Sequence, residues 1–252
     1  MPRYDDLNVI ISDSTAQLGE AVARDFADAV RAALATGDDV SVILATGNSQ
    51  LPFVTALHAR DDIEWSRVNV FHMDEYAGMS DTHPASFRLW MHQRIVDGFH
   101  PKQFFGIAGD HVPVEEELAR YTGLLAAMDP AICVMGIGEN GHLAFNDPPA
   151  DFDTTELIHI VDLDEVCRRQ QVGEGHFRTI DDVPPQAVSL TVPALLRPRT
   201  VLVATPEARK AAAVKAALEG PISPTCPASI LRRSPNATLY LDPDAAGLLS
   251  RG

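Results

Sequence analysis

The sequence predicts an α/β fold, a mostly parallel central sheet with helices on both faces, Rossmann-like and in a single domain over residues 1–252. Three observations predict it. Short runs rich in Val, Ile and Leu alternate with longer stretches of helical period, and that βαβα rhythm is the signature of parallel strands joined by crossover helices. Several of the runs are apolar throughout, as in strands covered on both faces. The length of 252 residues and an apolar share of 46% suit one large core, and no repeat, low-complexity tract or Gly/Ser linker divides the chain.

"LNVII" (7–11) reads as the first strand. The helix after it opens with Ser14 and Gln17 in capping-box spacing and closes at Gly37. Leu18, Val22, Phe26, Val30 and Leu34 recur every four residues along one of its faces. "VSVIL" (40–44) is a buried strand, followed by a turn and a helix from about Gln50. "RVNVFHM" (67–73) is a strand, and residues 86–99 and 114–128 are helices. "AICVMGIG" (131–138) and "LIHIVDL" (157–163) are strands, as is "TVLVAT" (200–205). The helix 207–220 is closed by Gly220, and "ATLYLD" (237–242) is the last strand.

Charge narrows the function. Thirty-five acidic against twenty basic residues leave a net charge of −15, which repels nucleic-acid backbones and anionic membranes at long range. An anionic small substrate then needs local donors. Three cysteines, Cys133, Cys167 and Cys226, form no CxxC pair and read as free thiols of a reducing compartment. No signal peptide opens the chain and no apolar run approaches the ~20 residues that span a bilayer, so the expected location is the cytoplasm.

In parallel sheets ligands bind beyond the carboxyl ends of the strands, so the residues just after each strand matter most. After "VSVILA" come Thr46, Gly47, Asn48 and Ser49, small or turn-tolerant residues ahead of a helix, with hydroxyls and backbone N–H groups that suit a phosphate. It is not a Walker loop. After "VNVFHM" come the adjacent acids Asp74 and Glu75, which must point different ways: one toward a cleft, the other into structure. His72 and Asp74 share a strand face, but no further ligand spacing supports a metal there, and none is expected. After "AICVM" comes "GIGENGHLAFNDPP", where Gly136, Gly138 and Gly141 permit tight turns and close approach of a ligand. His142 in that loop has the chemistry of a general acid and base, and Asp147, five residues on, is placed to hold its second ring nitrogen.

"LATGNSQLPFVTAL", "VNVFHMDEYAGMSDTHPASF", "GIGENGHLAFNDPP" and "KAAAVKAALEGPI" resemble, in order and spacing, the glucosamine-6-phosphate deaminases, from about residue 7 to 242. The related 6-phosphogluconolactonases share the fold and the glycine–histidine loop but lack "DEY" followed by "HP.S". The resemblance implies a cofactor-independent aldose–ketose isomerisation coupled to loss of the amine, giving fructose 6-phosphate and ammonia. It implies that Asp74 moves a proton between C2 and C1, and that His142 opens the pyranose ring, oriented from the positions of Asn140 and Asp147. It implies that Lys210, with Thr46, Gly47 and Ser49, holds the phosphate of a hexosamine 6-phosphate, with Asn48, Glu75 and Gly138 lining the same substrate site. The chain departs from the family pattern in having Asn140 for an acid, Asp147 for a glutamate and "TGNSQ" for "TGGTP". Neither Arg168 nor Arg169 aligns with the family's phosphate-binding arginine. An asparagine before "GH" is a feature of the galactosamine-6-phosphate branch, which leaves the epimer open.

Alternatives to a glucosamine-6-phosphate deaminase are therefore the galactosamine-6-phosphate enzyme, a 6-phosphogluconolactonase-like hydrolase, or a non-catalytic sugar-phosphate sensor. A sensor needs the phosphate loop but neither Asp74 nor His142, and a first strand near residue 7 leaves no room for a DNA-binding segment. The enzyme is the expected class. A homo-oligomer is left open.

Overall fold

The computed structural model describes residues 3–250. Its strands are β1 (Arg3–Tyr4), β2 (Leu7–Ile11), β3 (Val40–Leu44), β4 (Val68–His72), β5 (Asp74–Tyr76), β6 (Gln103–Phe105), β7 (Ile132–Met135), β8 (Ile158–Asp162), β9 (Gln186–Leu190), β10 (Thr200–Thr205) and β11 (Ala237–Leu241). Its α-helices are α1 (Thr15–Leu34), α2 (Leu51–His58), α3 (Phe87–Met91), α4 (Asp97–Phe99), α5 (Val114–Met128), α6 (Glu165–Gly173), α7 (Val192–Leu196) and α8 (Ala211–Glu219). Eight strands form the central sheet in the order β1-β2-β11-β10-β7-β3-β4-β6. Seven run parallel and only β1 pairs antiparallel, so the expected sheet is present.

The inner strands β3, β4, β7 and β10 are mostly apolar because both faces are covered. Ile43, Phe71, Cys133 and Val203 belong to the core on one side, with α5 and α8; Val42, Val70, Val134 and Leu202 belong to the core on the other, with α1 and α2. Each such buried side chain contributes roughly 1.5–3 kcal/mol. The α1 face is the predicted one, with Leu18, Val22, Phe26 and Val30 buried. Ser14 caps it by accepting from the Gln17 N–H at 3.2 Å, while Gln17 returns a bond to the Asp13 N–H rather than to that of Ser14. The helix stops at Leu34, short of Gly37, with Ala35 as C-cap. The predicted helix 86–99 is continuous but changes winding, with a π turn over His92–Val96 between α3 and α4.

The strand expected at "LIHIVDL" is present as β8, but outside the central sheet: β8 pairs antiparallel with β9, and β9 with β5, in a separate three-stranded sheet. The chain enters that sheet at once after β4, because Met73 turns its carbonyl to the N–H of Leu190 (2.8 Å) and Asp74 begins β5. A third apolar cluster, Tyr76, Phe87, Phe145, Phe177 and neighbours, lies between this small sheet and α3 and α6. The second sheet thus forms a wall beyond the carboxyl ends of β3, β4 and β7.

Candidate active site

The carboxyl ends of four adjacent strands, β10, β7, β3 and β4, open into one cleft. Thr46, Gly47 and Ser49 after β3, Asp74 after β4, Gly138 and His142 after β7, and Lys210 after β10 all line it. These seven sequence-predicted residues are brought together by the parallel order alone.

The Asp74 carboxyl is 6% exposed, and among the described residues it accepts no hydrogen bond. Burial, and then the neighbouring Glu75, push its pKa well above the ordinary carboxylate range. A carboxyl held this way exchanges a proton readily with a carbon acid placed before it.

His142 is oriented from behind. Its Nδ1 lies 3.0 Å from Asp147 Oδ1, so with Asp147 ionised Nδ1 carries the proton and Nε2 is the cleft-side atom. Asp147 is held in turn: the Asn140 amide donates to the same Oδ1 at 2.8 Å, and the Asp164 N–H donates to Oδ2 at 3.0 Å. Burial opposes ionisation of Asp147, yet the bonds from His142, Asn140 and Asp164 outweigh it and lower its pKa. Asn140 also donates to Asp164 Oδ2 (3.0 Å) and accepts from the His142 N–H (3.0 Å). Asn140 and Asp147 therefore stand behind the imidazole and do not line the cleft. Gly138 is required here for space, since a Cβ on it would lie 2.1 Å from His142 Nε2. Gly141 turns the loop with φ +87°. Asn146 anchors the loop to the second sheet by donating to the carbonyls of Leu143 (2.7 Å) and Leu190 (2.8 Å).

Two expectations are corrected. Glu75 does not line the cleft. Its carboxylate is fully buried and accepts from the Ser86 hydroxyl (2.8 Å) and from the N–H groups of Tyr76 (3.1 Å), Phe87 (3.1 Å) and Arg88 (2.9 Å). It satisfies the orphan donors at the start of α3, where the helix dipole favours an anion. Asn48 also faces away from the cleft, its amide donating to the Glu174 carbonyl at 3.4 Å.

His72 and Asp74 do not join a third ligating residue in a metal-binding cluster among the described residues. The His72 ring is buried, Nε2 accepts from the Ile107 N–H (2.7 Å), and burial drives its pKa down to about 3. Among the described residues one other donor set could hold a cation, His142, Asp147 and Cys167, whose ligand atoms lie within 4.8 Å of one another. Asp147 there already takes part in three hydrogen bonds, and burial and the adjacent acids push the Cys167 thiol up, toward its protonated form. These three residues fit a hydrogen-bonded support for the imidazole better than a metal centre.

The sequence reading missed α6, which supplies Gln170 and Gln171 to the cleft wall, with Glu174 and His176 just beyond its end. Glu174 lies 3.7 Å from where a Cβ of Gly47 would be. Arg209 Nη1 binds both Glu174 (2.8 Å) and Glu139 (3.0 Å), and its Nε binds Glu207 (2.5 Å). Arg168 and Arg169 stay out of the cleft: the first donates to the carbonyls of Ile180 and Val183, the second pairs with Glu165. The charges of α6 carry no periodic signal by which the sequence could place its cleft face.

Comparison with known proteins bears on the same region. The family described as glucosamine-6-phosphate isomerases/6-phosphogluconolactonase matches residues 13–240. The chain belongs to that family. A glucosamine-6-phosphate deaminase of Exiguobacterium sibiricum is 33% identical over 213 residues, 84% of this chain and 82% of that protein. One from Bacillus thuringiensis is 31% identical over 244 residues, 97% of this chain and 90% of that protein. Among solved structures, a monomeric glucosamine-6-phosphate deaminase superposes with a TM-score of 0.87 at 29% identity, covering 96% of this chain and all (100%) of that one. The 6-phosphogluconolactonase of Thermotoga maritima superposes with a TM-score of 0.75 at 18% identity, covering 94% and 99% of the two chains, a likeness of fold alone. As a member of the glucosamine-6-phosphate isomerase family, the chain is an enzyme, and its departures from the family pattern fall on Asn140, Asp147 and the Gly47–Gln50 loop.

Proposed function

We propose that the protein is a glucosamine-6-phosphate deaminase: it takes glucosamine 6-phosphate and water to fructose 6-phosphate and ammonia without a cofactor or metal. The observation that carries the reading is the placement of Asp74, His142 and Lys210 on one cleft at the ends of β4, β7 and β10. In this reading the phosphate lies against Lys210 and the Thr46–Ser49 loop. His142 Nε2 takes the O1 proton and returns one to O5, opening the ring. Asp74 removes the C2 proton, acidified by the neighbouring C1 carbonyl, and delivers a proton to C1. The resulting ketimine is hydrolysed, water supplying the C2 oxygen and the nitrogen leaving as ammonia. Asp147 stabilises the imidazolium that forms on His142, and Asn140 holds Asp147. All these residues come from one chain, which we treat as a single domain over residues 1–252.

The relatives' names support the gluco epimer. Among the described residues no helix is long and apolar enough to cross a membrane. The test is ammonia and fructose 6-phosphate release from glucosamine 6-phosphate, with galactosamine 6-phosphate and 6-phosphogluconolactone alongside, before and after prolonged chelation. Release from the gluco substrate, unchanged by the chelator, is expected. Lactone hydrolysis without ammonia release would overturn the reading, and activity restored by a divalent ion would return attention to His142, Asp147 and Cys167.

A further inference from the structure

The loops after β3 and β10 share one backbone. Gly47 and Glu207 both have positive φ, 95° and 81°. Each precedes a single 3-10 turn, Asn48–Gln50 and Ala208–Lys210, closed by an N–H of the last residue to the carbonyl of Gly47 (3.1 Å) or Glu207 (3.0 Å). Gln50 and Lys210 both have φ −91°, with ψ −11° and −12°, and α2 or α8 starts at the next residue. β3 and β10 flank β7 on its two sides. The Gly136 loop therefore lies between two copies of one device, and Gln50 holds in the first the position that Lys210 holds in the second.

Gln50 and Lys210 are 1% and 2% exposed, and both line the cleft. The Gln50 Oε1 has no hydrogen-bond partner, and Nε2 makes only a 3.3 Å contact with Ser49 Oγ. Buried polar atoms are nearly always paired, so an unpaired amide oxygen on a residue lining a cleft points to a missing partner. A Cβ on Gly136 would lie 3.1 Å from this amide, so the glycine leaves it room.

We propose that Gln50 binds the terminal phosphate monoester of the substrate, as the neutral counterpart of Lys210 across the Gly136 loop. The proposal rests on the reading of the cleft as a hexosamine 6-phosphate site. A half-turn of the amide lets the Ser49 hydroxyl donate to Oε1 and presents the Nε2 N–H groups to the ligand. A phosphate dianion offers only acceptors and selects that orientation. The family's "TGGTP" pattern has proline here, which carries no such donor.

Gln50→Met keeps the length and removes the amide; Gln50→Glu keeps the shape and replaces the donor with a carboxylate. Inorganic phosphate is the probe, titrated calorimetrically into the intact protein beside ammonia-release kinetics. Gln50→Met is expected to weaken phosphate binding about ten-fold, the scale of one hydrogen bond to a charged group. KM for glucosamine 6-phosphate should rise by a similar factor while kcat stays within about two-fold. Gln50→Glu should weaken binding further, increasingly so as the pH rises; a merely structural role would not rank the variants by charge. Should Gln50→Met fail to fold, Gln50→Glu decides alone. Unchanged phosphate affinity and KM overturn the proposal, while ammonia release by the unmodified protein keeps the deaminase reading. Phosphate binding that depends on Gln50, without ammonia release, does the reverse.

Discussion

Lys210→Met should make the protein more stable and a worse binder of phosphate. The Lys210 ammonium is 2% exposed and makes no hydrogen bond or ion pair among the described residues. Burial, and then Arg209, lower its pKa from the ordinary 10.5 to about 8, with Glu174, Glu139 and Glu207 opposing in part. At about 1.4 kcal/mol per pH unit, that fall corresponds to about 3 kcal/mol of lost stability at pH 7. The folded protein gives up this proton near pH 8, whereas the unfolded chain keeps it to about 10.5. Stability therefore rises with pH across that window as the cost is relieved. Methionine matches the length without charge, so the variant should gain up to about 3 kcal/mol at pH 7, or about 6–12 °C in Tm for a chain of this size. The gain should vanish by about pH 10.5. Thermal unfolding of both proteins across this range, followed by circular dichroism, measures it. Inorganic phosphate should raise Tm of the unmodified protein more than that of the variant. Equal Tm values at pH 7, or a gap that does not close as pH rises, would refute the desolvated ammonium.

Asp74→Asn should lower kcat by about 10²–10⁴ while KM stays near that of the parent, measured by ammonia release. Because burial raises the Asp74 pKa and the base must be ionised, activity of the parent should fall with decreasing pH at a point above the ordinary carboxylate range; an acid limb at the ordinary value would refute this. Asp147→Asn should harm kcat more than Asn140→Ala, since only the first removes the charge that stabilises an imidazolium; equal losses would count against that division. Asn140→Asp should lower both kcat and Tm at neutral pH, with recovery as pH falls, because it sets a third carboxylate against Asp147 Oδ1 and Asp164 Oδ2 where donors at 2.8 and 3.0 Å now sit.

The central sheet was legible because burial on both faces leaves its inner strands, such as β3 and β10, as short, mostly apolar runs. The second sheet was not. β5 is "DEY", whose acids read as a loop, and β9 comes directly after Pro184 and Pro185. β8 showed as a strand, but nothing local says which sheet a strand joins; that depends on Met73 pairing with Leu190 far along the chain. In the site, glycines and His142 stood out because they break the apolar pattern. The roles of Asp74 and Glu75 could be divided but not assigned from sequence, since only the position of α3 shows that Glu75 is its cap. Gln50 was hidden for a different reason: a glutamine before a helix is unremarkable until its amide is found buried with its oxygen unpaired.

On the proposed reading, the charge distribution explains why Lys210 would share phosphate recognition with neutral groups. A net charge of −15 disfavours a dianion at long range. Arg209, the cation next to Lys210, is held by Glu174, Glu139 and Glu207 and does not line the cleft. Glu174, with its pKa lowered to about 2 despite burial by His176, Arg209 and Lys210, keeps its negative charge beside the Gly47 loop. That leaves Lys210 as the cation facing the ligand, and it titrates near pH 8. Arrival of phosphate must therefore favour protonated Lys210, and KM should climb above about pH 8 as that proton is lost. The remaining affinity has to come from hydroxyls, amides and backbone N–H groups, which bring donors without drawing another acid toward the substrate. Of the residues on that wall, Thr46, Ser49 and Gln50 are the ones with this chemistry.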